Sequence, residues 1–378
     1  MKKIVFAFIA LSLLSACSFS LTRHPVTETP IVIGGIAALS GGASLYGINA
    51  RKAADLRIEQ WNENGGVKGR PLEIIWYDGK CSQEASLEAA RELVKEDKVK
   101  IILGGMCSDE TISAAEITEP NKVILMSPLS SSPAISQIGK YIYRTIASDV
   151  QQGKIMAKRI QNNKIEKVVV LIEETSYTQG LLDVFLEEYD GFVKIVSLLP
   201  NEEEEAIAEA IKRSKELEGD EILVFTQSVD LSYRVIQQLE KQEWTGSVVG
   251  NDVFIFNAKI VEDFSEYLTK YNVLGTAYLM DESKRNEMDL FAQQYLNRFG
   301  EEMRYVNDVA TTLDAVDILV ETLGRVDSVR DTDDIRDALN SIEHIGYMGD
   351  ITFNINGDPR TEFNLMEFDG EKFVPINN

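Results

Sequence analysis

IVIGGIAALSGGASLYG, residues 31–47, decides how this chain folds. Ile31 to Ala37 is an apolar run of strand length without polar alternation, the pattern of a strand buried on both faces. The small residues of 39–47 then permit a tight turn leading straight into a helix start. The helix is expected from Ala43 to Asn62, with Ile48, Ala54, Ile58 and Trp61 near one face.

Working outward, the same order recurs. NENGGVKGRP, residues 62–71, is a turn, and Leu72 to Tyr77 is a second strand. Ser82 can cap a helix running to Glu96. A third strand is expected from Val99 to Gly104, a helix from Cys107 to Glu119, and a fourth strand from Val123 to Ser127, stopped by Pro128. The pattern then restarts, with strands at 167–172, 193–198, 221–225 and 247–250 and helices at 180–189, 202–216 and 231–241. Strands alternating with helices imply an α/β protein with mostly parallel sheets covered on both faces. Two such runs imply two Rossmann-like lobes with a hinge near Ser148 to Gln151. Beyond Leu274, helices at 286–299, 311–324 and 331–341 and strands at 351–353 and 364–367 are expected, and pattern alone does not assign them to a lobe.

The chain has 378 residues, enough for two domains. Its formal charge of -23 repels nucleic acid, so no nucleic-acid partner is expected. Lys2 and Lys3 precede an apolar run from Ile4 to Leu14, which falls well short of the roughly 20 residues that a membrane-spanning helix needs. Small residues and Cys17 follow, in the order Leu14-Ser15-Ala16-Cys17. Residues 1–16 therefore read as a secretory signal peptide, whose removal leaves Cys17 first. The segment looks like the lipobox of bacterial lipoproteins, which implies that Cys17 carries acyl chains such as palmitate and tethers the protein to a membrane through 17–30. The expected location is extracytoplasmic, on the periplasmic face or the outer cell surface.

Cys81 and Cys107 then remain as an even pair in an oxidising compartment, either bridged or as two buried thiols. A bridge would stabilise by roughly 3.5 kcal/mol on the loop-entropy estimate. The only histidines are His24, in the tether, and His344. No histidine–cysteine–carboxylate cluster suits zinc, no histidine is placed to activate a serine, and GGASLYG lacks the glycine–lysine–serine ending of a phosphate loop. Neither an enzyme nor a cofactor is expected.

Taken together, several pieces in order resemble the branched-chain amino-acid-binding family, the type I periplasmic solute-binding components of ABC importers. They are LSGGASLYG at 39–47, WNENGGVKGRPLE at 61–73, YDGKCSQEA at 77–85, GGMCSDET at 104–111, ILMSPLSSSP at 124–133 and YRTIASDVQQG at 143–153. The resemblance implies three crossings between lobes, with 31–149 and 277–356 in the first and 150–276 and 357–378 in the second. It also implies a disulfide between Cys81 and Cys107, and a ligand held where the lobes close, a hinge motion.

The family's carboxylate-binding serine matches Ser108, at a helix start where hydroxyl and backbone N–H groups suit an anion. Its Gly-Ala-Thr-like turn matches Leu129, Ser130 and Ser131. Ser131 keeps the hydroxyl, the Ser130 carbonyl would accept from the ligand ammonium, and Leu129 places a large apolar group where the family has glycine. Tyr46 and Tyr177 match cleft tyrosines, whose rings can cover an apolar stem. Asp252 matches an acid that pairs with the ammonium, one methylene shorter than the glutamate of many relatives. The family's further aromatic contact is replaced near Gln227-Ser228-Val229. Asp109 and Glu110 are expected to face solvent in a first helical turn, where acids are favoured.

The resemblance thus implies a monomeric lipoprotein that captures an amino acid, branched-chain or similar, and delivers it to ABC permease subunits. A ligand-sensing receptor of the same fold, for amino acids, amides or related solutes, is the alternative.

Overall fold

The structure, a computed structural model, describes residues 29–199, 202–217 and 219–376. Cys17, the signal segment and the tether up to residue 28 lie outside the described residues. The chain opens with β1 (Ile31–Ala37), α1 (Ser44–Glu63), β2 (Leu72–Asp78), α2 (Gln83–Lys95), β3 (Ile101–Leu103), α3 (Ser108–Thr118), β4 (Ile124–Ser127) and β5 (Ile142–Arg144). The strands form a parallel sheet in the order β2-β1-β3-β4-β5. Gly104, just after β3, has φ +130°, and a Cβ there would lie 2.0 Å from the Ile36 carbonyl oxygen. Glycine is required at this close approach of two strand ends.

The second run comprises α4 (Asp149–Asn162), β6 (Lys167–Glu173), α5 (Ser176–Glu188), β7 (Phe192–Leu198), α6 (Glu204–Glu216), β8 (Glu221–Phe225), α7 (Val229–Lys241), β9 (Ser247–Gly250), α8 (Asp252–Ile255), α9 (Ala258–Lys270) and β10 (Leu274–Tyr278). Helix α5 begins four residues before the expected Gly180, because the Thr175 hydroxyl accepts from the Thr178 N–H at 3.3 Å and caps it. That earlier start puts Tyr177 in the first turn. Sequence pattern announces no element at β5, α4, α8, α9 or β10.

The chain then forms α10 (Arg285–Phe299), α11 (Val306–Arg325), α12 (Thr332–Asn340), the antiparallel pair β11 (His344–Gly346) and β12 (Gly349–Ile351), and finally β13 (Phe363–Phe368) and β14 (Phe373–Pro375). The second sheet runs β14-β13-β10-β9-β8-β6-β7, parallel from β7 to β10 and antiparallel at β13 and β14. The division expected between 276 and 277 falls inside β10, which pairs with β13 from Leu274 to Tyr278. The strand therefore stays in the second sheet to its end.

Helix α11 is the buried spine of the first lobe. It is largely buried, and its apolar side packs into the same core as α1, β1, β3 and β4. Two of its acids are consumed by structure. Asp317 takes Arg57 Nε and Nη2 at 2.7 Å each and Trp61 Nε1 at 2.7 Å. Asp314 takes the backbone N–H groups of Tyr347 and Met348 at 2.7 and 2.8 Å. These bonds fix α11 to α1 and to the β11–β12 hairpin.

At the crossings, Arg144 is fully buried and donates to Asp358 at 2.7 Å, to the Ser132 carbonyl at 2.9 Å and to Ser136 Oγ at 2.7 Å. Gln151, at the start of α4, donates to the Thr361 carbonyl and accepts from the Phe363 N–H, both at 3.0 Å. The first and last crossings are thus tied side by side.

Candidate functional site

A cavity of about 70 Å³ lies between the lobes, beyond the C-terminal ends of the parallel strands, where open α/β sheets bind ligands. From the first lobe come Tyr46 on α1, Met106 to Ser108 at the β3–α3 turn, Leu129 and Ser131 after β4, and Asp308 in the first turn of α11. Facing them are Tyr177 on α5, Gln227 after β8, Asp252 and Val253 on α8, Phe256, and Tyr278 at the end of β10. The lobes touch around this space. Asp109 accepts from the Ser176 hydroxyl at 2.6 Å, and Gln227 Nε2 lies 2.9 Å from Cys81 Sγ.

Six of the seven sequence-derived ligand residues therefore meet around one cavity: Tyr46, Ser108, Leu129, Ser131, Tyr177 and Asp252. Ser130 does not. Its carbonyl accepts from Arg144 Nη1 at 3.3 Å, and its hydroxyl lies 2.7 Å from Thr111 Oγ1 and 3.1 Å from the Gly105 carbonyl. A carbonyl already facing a guanidinium is a poor acceptor for a ligand ammonium, so the expected role of Ser130 is corrected to support of the turn. The solvent-facing reading of Asp109 and Glu110 is also corrected. Asp109 reaches Ser176 of the opposite lobe. Glu110 is fully buried and accepts from the backbone N–H groups of Cys81 at 2.9 Å, Met106 at 2.8 Å and Cys107 at 3.2 Å. It thereby holds the disulfide loop against the turn that carries Ser108.

Cys81 and Cys107 form a disulfide, with Cα atoms 5.4 Å apart. It staples the loop after β2 to the start of α3. Ser108 is buried, and its Oγ accepts from the Ser132 N–H at 3.3 Å. Ser108 lines the cavity at the start of α3 and Ser131 in the adjoining turn, where the Ser131 side chain also bonds the Asp149 carboxyl; hydroxyls at a helix start suit a carboxylate.

Asp252 is buried and accepts from the Tyr177 hydroxyl and, at 3.5 Å, from Gln152 Nε2. Asn251 Nδ2 donates to the same tyrosine oxygen at 2.8 Å, which fixes the direction of the Tyr177 hydrogen bond toward Asp252. Burial pushes the Asp252 carboxyl above the usual range, and the Tyr177 bond opposes that rise. Asp149, fully buried nearby, is pushed well up by burial and then by the negative charge of Asp252.

Pattern reasoning missed Asp308, Tyr278, Phe256 and Met106. Asp308 is buried and accepts from the Tyr278 hydroxyl. Burial, reinforced by Asp252, pushes it up to about 7. The expected helix began at Thr311, three residues past Asp308, and β10 was not expected at all. The one available signal was an acid just ahead of the apolar run VATTLDAV. Among the described residues, no histidine, cysteine and carboxylate cluster could hold a metal ion.

A family model described as "Periplasmic binding protein" matches residues 30–372. The chain belongs to that family. As a periplasmic binding protein it is 32% identical, over 46% of each chain, to a leucine-, isoleucine-, valine-, threonine- and alanine-binding protein of Pseudomonas aeruginosa. It is 27% identical to the Leu/Ile/Val-binding protein of Escherichia coli, over 45% of this chain and 47% of that one. The chain thus spans about half the length of the curated relatives it matches. Among solved structures, a leucine-binding protein of Thermotoga maritima has a TM-score of 0.76 at 22% identity, covering 92% of this chain and 99% of that one. A Rhodopseudomonas palustris solute-binding protein in complex with 3,4-dihydroxybenzoic acid has a TM-score of 0.77 at 20% identity, covering 92% and 97%. At such identities the likeness speaks for the fold alone.

Proposed function

We propose that the protein captures an α-amino acid, branched-chain or similar, in the cleft between its lobes and hands it to the permease subunits of an ABC importer. The observation that carries this reading is one cavity lined by Ser108 and Ser131 from one lobe and Asp252 from the other. Hydroxyls at a helix start suit the carboxylate, and a buried acid across the gap suits the ammonium. Binding both ends at once favours the closed state, because each lobe holds one end of the ligand.

Binding rather than catalysis fits the lining, which among the described residues offers serines and acids but no serine–histidine pair. The relatives' names supply the branched-chain class. The N-terminal segment supplies the address: Cys17 carries lipid and tethers a monomeric receptor outside the cytoplasm, where it can meet its permease repeatedly. Among the described residues no helix is long and apolar enough to cross a membrane.

Calorimetry on protein lacking residues 1–17 tests the ligand reading, with leucine, isoleucine, valine and then polar amino acids. Binding of at least one α-amino acid, with its amide or decarboxylated analogue binding far less tightly, is expected. Failure of every α-amino acid to bind would overturn the reading. Mass spectrometry of the cell-derived protein, with Cys17→Ala as the control, tests the tether.

A further inference from the structure

The cleft holds a second acid that an apolar side chain would leave stranded. Of the three buried acids on α11, Asp314 and Asp317 are committed to backbone, arginine and indole partners. Asp308 lines the cavity, and among the described residues the one hydrogen-bond partner of its carboxylate is the Tyr278 hydroxyl. Among the described residues, no lysine, arginine or histidine lines the space. Arg144, the nearby buried cation, is engaged with Asp358 and the turn of Ser130 to Ser132.

We propose that Asp308 is a second cation subsite, so that the cleft prefers a basic α-amino acid, with Asp252 taking the α-ammonium and Asp308 the side-chain cation. Two further observations and one energetic argument agree. Tyr46, Tyr278 and Phe256 line the same cavity, and Phe256 packs edge-on against Tyr278 with ring centroids 5.5 Å apart. Aromatic faces beside a carboxylate attract ammonium and guanidinium groups. The Tyr46 oxygen is buried without a hydrogen-bond partner among the described residues, although its ring lies 4.5 Å from that of Tyr305. A buried unmade bond is costly, and an N–H of the ligand would satisfy it. Finally, beside a neutral side chain the buried Asp308 carboxyl is favoured in its protonated form, whereas a ligand cation would hold it ionised and paired.

This inference rests on the amino-acid reading but replaces its branched-chain class with a basic one, and norleucine separates the two, since it has the lysine skeleton without the side-chain amine. Calorimetry at pH 8 would compare lysine, ornithine, arginine and norleucine on protein lacking residues 1–17. At least one basic ligand should bind roughly 100-fold tighter than norleucine, the scale of a desolvated charge pair. Asp308→Asn should collapse that ratio to within roughly 10-fold, with a melting transition recorded to show that the variant is folded. Norleucine or leucine binding as tightly as every basic ligand would overturn the Asp308 subsite while leaving the amino-acid reading intact. So would a ratio unmoved by the substitution. If no α-amino acid binds, that reading falls and putrescine and cadaverine become the probes. Binding lost in Asp308→Asn would then support the subsite, and no binding would overturn it.

Discussion

The two acids of the cleft are built alike and placed differently. Asp252 and Asp308 are both buried, both face the cavity, and each accepts from one tyrosine hydroxyl. Asp252 has all its support inside one lobe: Tyr177 on α5, Asn251 beside α8 and Gln152 on α4. Gln152 in turn accepts from Thr276 at 2.8 Å. Asp308 stands on α11 of the first lobe, while Tyr278 ends the last parallel strand of the second sheet. The first acid is thus preorganised for a group common to all α-amino acids. The second sits where the chain crosses between lobes, and it answers to whatever the ligand's side chain brings.

The largest effect should come from breaking the better-supported end. Asp252→Ala should weaken every α-amino acid ligand by roughly 100-fold or more, because a desolvated ammonium loses its only counter-charge at that end. Calorimetry with lysine and norleucine reads it, and both should fall together. A loss confined to one of them would show that the two ends are not independent, and no loss would remove Asp252 from the site.

The same contrast explains what the sequence discloses. Residues 31–127 announce their elements, because each strand is a short apolar run closed by glycine or proline and followed by a helix start. The first-lobe site residues Ser108 and Ser131 follow from that order together with the family likeness. Asp308 does not, because it precedes a buried helix whose pattern becomes clear only at Val309 and beyond. Tyr278 is hidden for a related reason. β10, LGTAY, is fully buried but contains glycine, alanine and threonine, so it has no strand-like hydrophobic signature. Ser130 misleads in the opposite way. A serine-rich turn after a strand suggests a ligand contact, and only the buried Arg144, some way along the chain, shows that the Ser130 carbonyl is already engaged. Glu110 is similar, since nothing local reveals that three backbone N–H groups converge on it.

A second expected effect is on stability. The Asp308 carboxyl is raised to about 7 in the folded protein, above its unfolded value. A raised carboxyl contributes stability that is fully present below the unfolded value, near pH 4, and is lost as pH rises through about 7. A shift of about 3 units corresponds to about 4 kcal/mol, an upper figure for one buried group. Urea unfolding of the ligand-free protein at pH 5, 6, 7 and 8 should therefore show a shallower decline for Asp308→Asn than for wild type. The other buried acids, including Asp149 and Asp252, contribute to both curves, so the difference between them reports Asp308. Parallel curves would mean that ionising Asp308 costs nothing in the ligand-free protein.

The smallest and sharpest test exchanges the two tyrosines. Tyr177→Phe removes the hydroxyl that joins Asn251 to Asp252, and Tyr278→Phe removes the partner of Asp308. Each loses one hydrogen bond to a carboxylate, worth about 1.5–3 kcal/mol, or roughly 10- to 100-fold in affinity if the acid then no longer holds its place. The two losses should differ in kind. Tyr177→Phe should weaken lysine and norleucine equally, because both present the same α-ammonium to Asp252. Tyr278→Phe should weaken lysine and spare the lysine-free part of the interaction, so the lysine-to-norleucine ratio falls. Calorimetry at a fixed pH, with four protein–ligand pairs, decides it. Equal losses for both ligands in both variants would mean that the cleft responds as one acidic pocket, and the separation of its two ends would have to be given up.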